Sequence, residues 1–258
     1  MSNPKPYLVQ KYGGTSLADL RGCDASASII GEYTGEYRVV VVLSAVKGVT
    51  DLLLAAIDTA VAGEDGTPHL DEAIRRERAI VDDLAAEGAA TPWASEFLAE
   101  QGEVLSRMVE GIRLLGQCPD ETRARILATG EGFASRLMVD VLRGRGFDAH
   151  WSDTDVLPLA DDSWLDSLVD IDAAAPRVRE RLDADFQVMV FPGFYGRNAE
   201  GKIQLLGRNG TDYSAAVFAA ASGAGLCQIW KDVDGFFTAD PRIVPQARKL
   251  AKVHFDEM

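Results

Sequence analysis

The 258-residue sequence contains no run of about 18 apolar residues, and it opens with neither a basic nor an apolar stretch. Neither a membrane span nor an export signal is therefore expected, and the expected compartment is the cytoplasm. Cysteine is scarce: Cys23, Cys118 and Cys227 are odd in number and share no ligand-like spacing, so they read as reduced thiols in packing roles rather than a disulfide framework. His69, His150 and His254 are equally scattered, and no metal-binding residue is singled out. Positive charge is in deficit, with 26 Lys and Arg against 40 Asp and Glu for a net charge of −14. No basic stripe is available to neutralise a phosphate backbone, which argues against a nucleic-acid partner. Any anionic ligand must then be met by a few local cations.

What is present is a hydrophobic content of 47%, enough to bury a core as one large domain or two small ones. Residues 7–10 read as a short strand running into Lys11, Tyr12, Gly13 and Gly14, with Thr15 and Ser16 capping a following helix. A lysine, a glycine pair and a helix start at the carboxyl end of a strand form an anion site suited to a polyphosphate; they equally form an ordinary tight turn. Residues 38–44 are a β-branched run of the kind buried on both faces of a parallel sheet, and Ser44 and Thr50 follow where open α/β sheets place ligands. A Thr-Asp helix cap is the plainer reading of the same stretch.

Residues 51–117 have a helical pattern broken at 63–67 and 88–91, which predicts a helical layer or a dimer surface. A short strand is expected at 125–128, leading to Glu131 in a first helical turn. Gly144, Gly146 and Ala149 fit a loose dinucleotide pattern, but they follow a helix and precede a strand, the reverse of what a pyrophosphate turn requires. Pro176 is placed in the first turn of a helix ending at Leu182. Further strands are expected at 186–191 and 226–230, with a hairpin tip at 198–202. Between them, Gly207-Arg208-Asn209-Gly210-Thr211-Asp212 is a glycine-rich loop opening a small-residue helix. Arg208 and Asp212 there could clamp a ligand or form only an exposed ion pair. The tail of the last strand carries Lys231, Asp232, Phe237 and Arg242 in a turn-rich segment.

Together these blocks resemble the aspartokinases, within the amino-acid kinase family. Lys-Tyr-Gly-Gly-Thr-Ser from Lys11 is similar to their opening signature, Ser44-Ala45 and Gly48-Val49-Thr50-Asp51 to their second block, and Gly130-Glu131 to a Gly-Glu-x-x-Ser motif in which Ala134 departs from Ser. The 207–212 loop resembles Gly-Arg-Gly-Gly-Ser-Asp with Asn209 and Thr211 as departures, and 230–242 resembles the nucleotide segment with Lys231 in place of Thr. The blocks run in the family's order from residue 9 to 242.

The resemblance implies a three-layer α/β/α sandwich around a mostly parallel sheet, and transfer of the ATP γ-phosphoryl group to the side-chain carboxylate of aspartate. Residues up to about 195 would then hold the amino acid, and those from about 196 to 258 the nucleotide. Lys11 and Asp212 take the catalytic roles. Ser44, Thr50, Glu131 and Arg208 bind the substrate, with Glu131 on its α-amino group and Arg208 on its α-carboxylate. Lys11, Tyr12, Gly13, Gly14, Lys231, Asp232, Phe237 and Arg242 contact ATP, with Mg²⁺ held mainly by phosphates and water. A homodimer without membrane or nucleic-acid partners is expected. Another amino-acid carboxylate as substrate, or a nucleotide- or aspartate-binding module without turnover, are the alternatives. Residues 254–258 read as an opening helix turn, so the chain is expected to be a fragment or a shortened relative. It would lack both the family's Phe-Gly-Ala-Lys-Val segment and its regulatory ACT domains.

Overall fold

The computed structural model describes residues 5–233, 235, 237–239 and 243–253. Five strands form one parallel sheet: β1 (Tyr7–Tyr12), β2 (Arg38–Leu43), β3 (Ala149–Trp151), β4 (Val188–Pro192) and β7 (Leu226–Trp230), in the order β3-β4-β2-β1-β7. A small antiparallel hairpin, β5 (Tyr195–Arg197) with β6 (Ile203–Leu205), stands beside it. The β-branched run of β2 is central and buried throughout, as a strand covered on both faces must be.

Side chains alternate across the sheet, and the two faces are covered by different helices. Tyr12, Val39, Val41 and Leu43 point into the core made with α1 (Leu20–Tyr33), α2 (Val49–Val61), α3 (Thr67–Ala86), α4 (Pro92–Leu115), α5 (Asp120–Leu127) and α6 (Thr129–Gly144). Val9, Val40 and Val42 point to the opposite core, closed by α7 (Ile171–Leu182) and α8 (Gly210–Ser222), where Phe191 and Phe218 pack 4.3 Å apart. Three layers result, and β1 to β2 departs over one face while α8 returns to β7 over the other. The connection leaving β2 goes to α2 on the first face, and that leaving β4 goes by way of the hairpin to α8 on the second, so the crevice at the carboxyl edge of these strands is a topological switch point, where such sheets bind ligands. Among the described residues no helix is long and apolar enough to cross a membrane.

Three local expectations are corrected. Residues 125–128 are not a strand: α5 runs to Leu127 and passes through Ala128 in helical conformation straight into α6. The segment is rich in good helix formers and carries Asp120 and Glu121 in its first turn, and the three apolar residues Ile126, Leu127 and Ala128 are too short a run to tell the two states apart. Thr15 and Ser16 do not cap a helix; they lie in a single 3₁₀ turn, and α1 begins at Leu20 under Asp19, whose carboxylate accepts from Gly22 N–H at 2.8 Å. Pro176 lies inside α7 rather than in its first turn, because Asp170 caps the helix by accepting from Ala173 N–H. The carbonyl that Pro176 leaves unbonded belongs to Asp172, which is exposed and can be hydrated.

Candidate active site

Lys11 is the fifth residue of β1 and, by alternation, faces α8. It is 6% exposed, in register with Val42 of β2 and Ile229 of β7, so its ammonium is delivered to the carboxyl edge of the sheet from a fully paired strand. Asp212, in the first turn of α8, lies with Oδ1 2.8 Å from Lys11 Nζ, while its Oδ2 accepts from Lys231 Nζ at 2.7 Å just beyond β7. The Lys11 contact is an ion pair without hydrogen-bond alignment, since Oδ1 has no aligned donor. Burial acts to raise the Asp212 pKa, but the two ammonium groups outweigh it and hold the carboxyl below its ordinary range. One carboxylate therefore spans two cations at the mouth of the crevice.

Glu131 approaches from the other side of the sheet edge, in the first turn of α6. It is 4% exposed, and its Oε2 has no hydrogen-bond partner among the described residues. Burial pushes its pKa up to about 8, against the lowering effect of the Ala45 N–H and the Lys11 charge. The loop after β2 fixes these parts: Ser44 N–H donates to Tyr12 O at 3.2 Å, a Cβ on Gly130 would stand 2.7 Å from Ala45 Cβ, and one on Gly14 2.7 Å from Ala45 O. Only glycine permits this approach of β1, β2 and α6. Ser44 and Thr50 are half-buried on this loop and at the start of α2.

Other predicted residues fall differently. Tyr12 projects to the far face, 1% exposed and stacked on Trp230 at 6.3 Å, with its hydroxyl donating to Gln10; burial holds its pKa far above normal. Only its peptide group is left to face a nucleotide. The Gly13 N–H donates to Trp230 O at 3.4 Å, so it is engaged by β7 rather than open to phosphate. Arg208 is exposed in the turn before α8, with no ion pair among the described residues. Asn209 there adopts φ 60°, a left-handed conformation that asparagine tolerates better than most side chains, so this departure from glycine keeps the loop's shape. Asp232 is exposed, and Phe237 is half-buried with an antiparallel bridge to Lys249. Arg242 and the 254–258 turn lie outside the described residues.

The sequence reading passed over two features. Phe194 sits at φ 70°, rare for a bulky residue, held by its N–H donating to Ser214 Oγ at 3.1 Å and its carbonyl accepting from Leu206 at 2.7 Å. Its pattern in the sequence is that of any loop phenylalanine. Glu77, buried on α3, read as one more charge on a mixed helix face.

The model for the amino acid kinase family matches residues 6–258. The chain is 34% identical over 256 residues to a bifunctional aspartokinase/homoserine dehydrogenase of Buchnera aphidicola, covering 96% of this chain and 31% of that protein. It is 31% identical to the lysine-sensitive aspartokinase 3 of Escherichia coli, covering 97% and 54% respectively. The crystal structure of E. coli aspartokinase III in complex with aspartate and ADP superposes with a TM-score of 0.82 at 31% identity, over 95% of this chain and 53% of that one. The chain thus spans from about a third to about half the length of these relatives.

Proposed function

The chain belongs to the amino acid kinase family, and from that premise we propose that it catalyses ATP-dependent phosphorylation of the side-chain carboxylate of L-aspartate. The observation that carries this reading is the placement of buried Lys11 between Asp212 and Glu131 at the sheet's switch point. The aspartate and ADP named for the E. coli relative support the choice of substrates. Residues to about 195 are assigned mainly to the amino acid and those from about 196 mainly to the nucleotide, with Arg208 and the turn at Lys11–Gly14 reaching across that division.

An aspartate side-chain carboxylate is already ionised at neutral pH and needs no general base. Its oxygen forms a bond to the γ-phosphorus while the bond to the β,γ-bridging oxygen breaks, and ADP leaves with that electron pair. The protein's task is positioning and charge neutralisation. Lys11 Nζ, dry and pre-oriented by Asp212, meets the negative charge of the transferring phosphoryl group. Lys231, half-exposed on the same carboxylate, meets the nucleotide's phosphates from the solvent side. Glu131 accepts the substrate's α-ammonium, and Arg208 pairs with its α-carboxylate from the turn before α8. Ser44 and Thr50 supply neutral hydrogen bonds.

Magnesium is assigned to the nucleotide as part of the substrate. Among the described residues no three His, Cys, Asp or Glu side chains converge as a cage, and both oxygens of Asp212 face lysines. Mg²⁺ commonly rests on phosphates and water with few protein ligands. We assign the product to the opening of a biosynthetic route to aspartate-derived amino acids such as lysine and threonine, in the cytoplasm. The assembly is assigned as a homodimer, for which Leu114 and Leu115 at the exposed end of α4 offer apolar surface.

The deciding experiment is a coupled ADP-release assay over a panel of amino acids, with hydroxylamine trapping of the acyl phosphate. Aspartate should be the preferred substrate and yield a hydroxamate. Trapping with another amino acid but not aspartate would reassign the substrate, and nucleotide binding without any hydroxamate would reduce the chain to a binding module.

A further inference from the structure

A row of polar side chains crosses β1 and β7 on the face turned away from Lys11, and the reaction above does not use it. Gln10 is 0% exposed and pairs in register with Gln228 of β7; two residues on, Tyr12 pairs with Trp230. The indole N–H of Trp230 can only donate, so the Gln228 atom 3.1 Å from it is the carbonyl Oε1. Gln10 then offers its amide nitrogen to that same oxygen at 2.8 Å, and its own Oε1 is left to accept the Tyr12 hydroxyl at 3.2 Å. Every donor and acceptor in the row has one direction only.

This row bears on β7 more than on β1. Among the described residues β7 is an edge strand, none of its five residues is buried, and Leu226 and Ile229 are 44% and 43% exposed. Apolar burial therefore does little to fix its register. A slip of one residue along β1 would turn Gln228 and Trp230 to the α8 face and set Cys227 or Ile229 beside Gln10, whose amide would lose its acceptor in a dry core. The register matters at the strand's end. Trp230 O accepts from Gly13 N–H, and Lys231, the next residue, reaches Asp212 Oδ2 at 2.7 Å.

We propose that Gln10 is a positioning residue for Lys231: through Gln228 and Trp230 it locks the register of β7 and so holds Lys231 on Asp212. The inference rests on the assignment of Lys231 to the nucleotide's phosphates. Gln228 serves the row as an acceptor for two donors, so a carboxylate can replace it and an apolar side chain cannot. None of the residues assigned to aspartate lies on β7, so the lock acts on the nucleotide alone.

The test combines hydrogen exchange of residues 226–231, read by mass spectrometry, with calorimetric affinities for ATP and aspartate. The variants are Gln10→Leu, Gln228→Met, Gln228→Glu, Lys231→Thr and the double variant Gln10→Leu with Lys231→Thr. Gln10→Leu and Gln228→Met should each speed exchange of that segment about tenfold or more, leave the central strand β2 unchanged, and weaken ATP about fivefold to tenfold with aspartate held within about twofold. Gln228→Glu keeps the acceptor and should bind ATP within about threefold of the parent. Because the effect runs through Lys231, Gln10→Leu should weaken ATP no further in the Lys231→Thr chain. Melting curves verify folding, and Gln228→Met, a change at a half-buried position of an edge strand, carries the test if Gln10→Leu melts below the parent. Unchanged exchange in both apolar variants overturns the proposal. So does ATP affinity kept in them where Lys231→Thr weakens it, or a loss that adds in full to that of Lys231→Thr. Faster exchange in both, with ATP affinity unaltered by Lys231→Thr itself, upholds the lock and places the failure on the Lys231 assignment.

Discussion

Lys11 Nζ and Asp212 Oδ1 are 2.8 Å apart, though they sit 201 positions apart in the chain, on a strand and on the helix that packs across it. The pair is nearly dry on the lysine side and partly open on the aspartate side, so its charges are screened less than those of a surface ion pair. The role proposed for the lysine rests on that enclosure.

If Lys11 acts on the transferring phosphoryl group, Lys11→Ala should lower kcat by about a hundredfold or more, equivalent to about 3 kcal/mol of transition-state stabilisation. Nucleotide affinity should fall less. Steady-state kinetics with direct nucleotide titration checks this, and unchanged turnover removes Lys11 from the mechanism. Asp212→Asn keeps the shape and loses the charge that orients both lysines, so it should also depress kcat.

Lys231 shares Asp212 but lies half-exposed, and an ion pair so placed contributes under about 1 kcal/mol to the fold. Lys231→Thr should therefore leave the melting temperature within a degree or two while weakening ATP binding about tenfold, an effect that shrinks as salt is raised. An ATP affinity identical to the parent's at low salt would sever Lys231 from the phosphates.

Arg208 and Glu131 are assigned to opposite ends of the amino acid. Arg208→Ala and Glu131→Gln should each raise the aspartate KM at least tenfold with ATP KM preserved, as for lost ground-state binding. Loss of ATP affinity instead would move them to the nucleotide side.

Glu131 also determines a pH dependence of stability. Its folded pKa of about 8 lies above the unfolded value of 4.5, so the fold favours the protonated form. Its contribution is fully present below pH 4.5 and is lost progressively as the pH rises toward 8, where the folded-state proton finally leaves. Glu131→Gln, which cannot ionise, should therefore be more stable than the parent at neutral pH by up to about 3 kcal/mol, with no difference near pH 4. Chemical denaturation at the two pH values reads this directly, and equal stabilities at neutral pH would show Glu131 to be ionised in the free protein.

The sequence by itself determined the layers and the motif blocks. The β-branched run of β2, the helical spacing of α2 to α4, the hairpin tip at 198–202 and the strand at Leu226–Trp230 are local signals whose period survives in the fold. The positions of Lys11 near the end of a strand and of Glu131 and Asp212 in the first turns of helices were equally readable, because their own neighbours specify those elements. The 125–128 stretch was misread because four residues with three apolar side chains carry no period, and whether they pair or coil depends on whether a sheet edge lies beside them.

What only the tertiary structure decided is which groups share space. Side-chain alternation puts Lys11 against α8 and turns Tyr12 to the far core, a difference of one residue that depends on which face α8 covers. The double pairing of Asp212 needs β1, α8 and the end of β7 brought together by the strand order, which no local pattern encodes. Glu77 shows this most plainly: in the sequence it is one charge among many on a mixed helix. Its burial arises because α2, α3 and α4 pack on one another and close with the start of α6 around a narrow cavity that Glu77 lines. Burial, and with it the cost of a charge, is a property of that packing rather than of the residue or its neighbours along the chain.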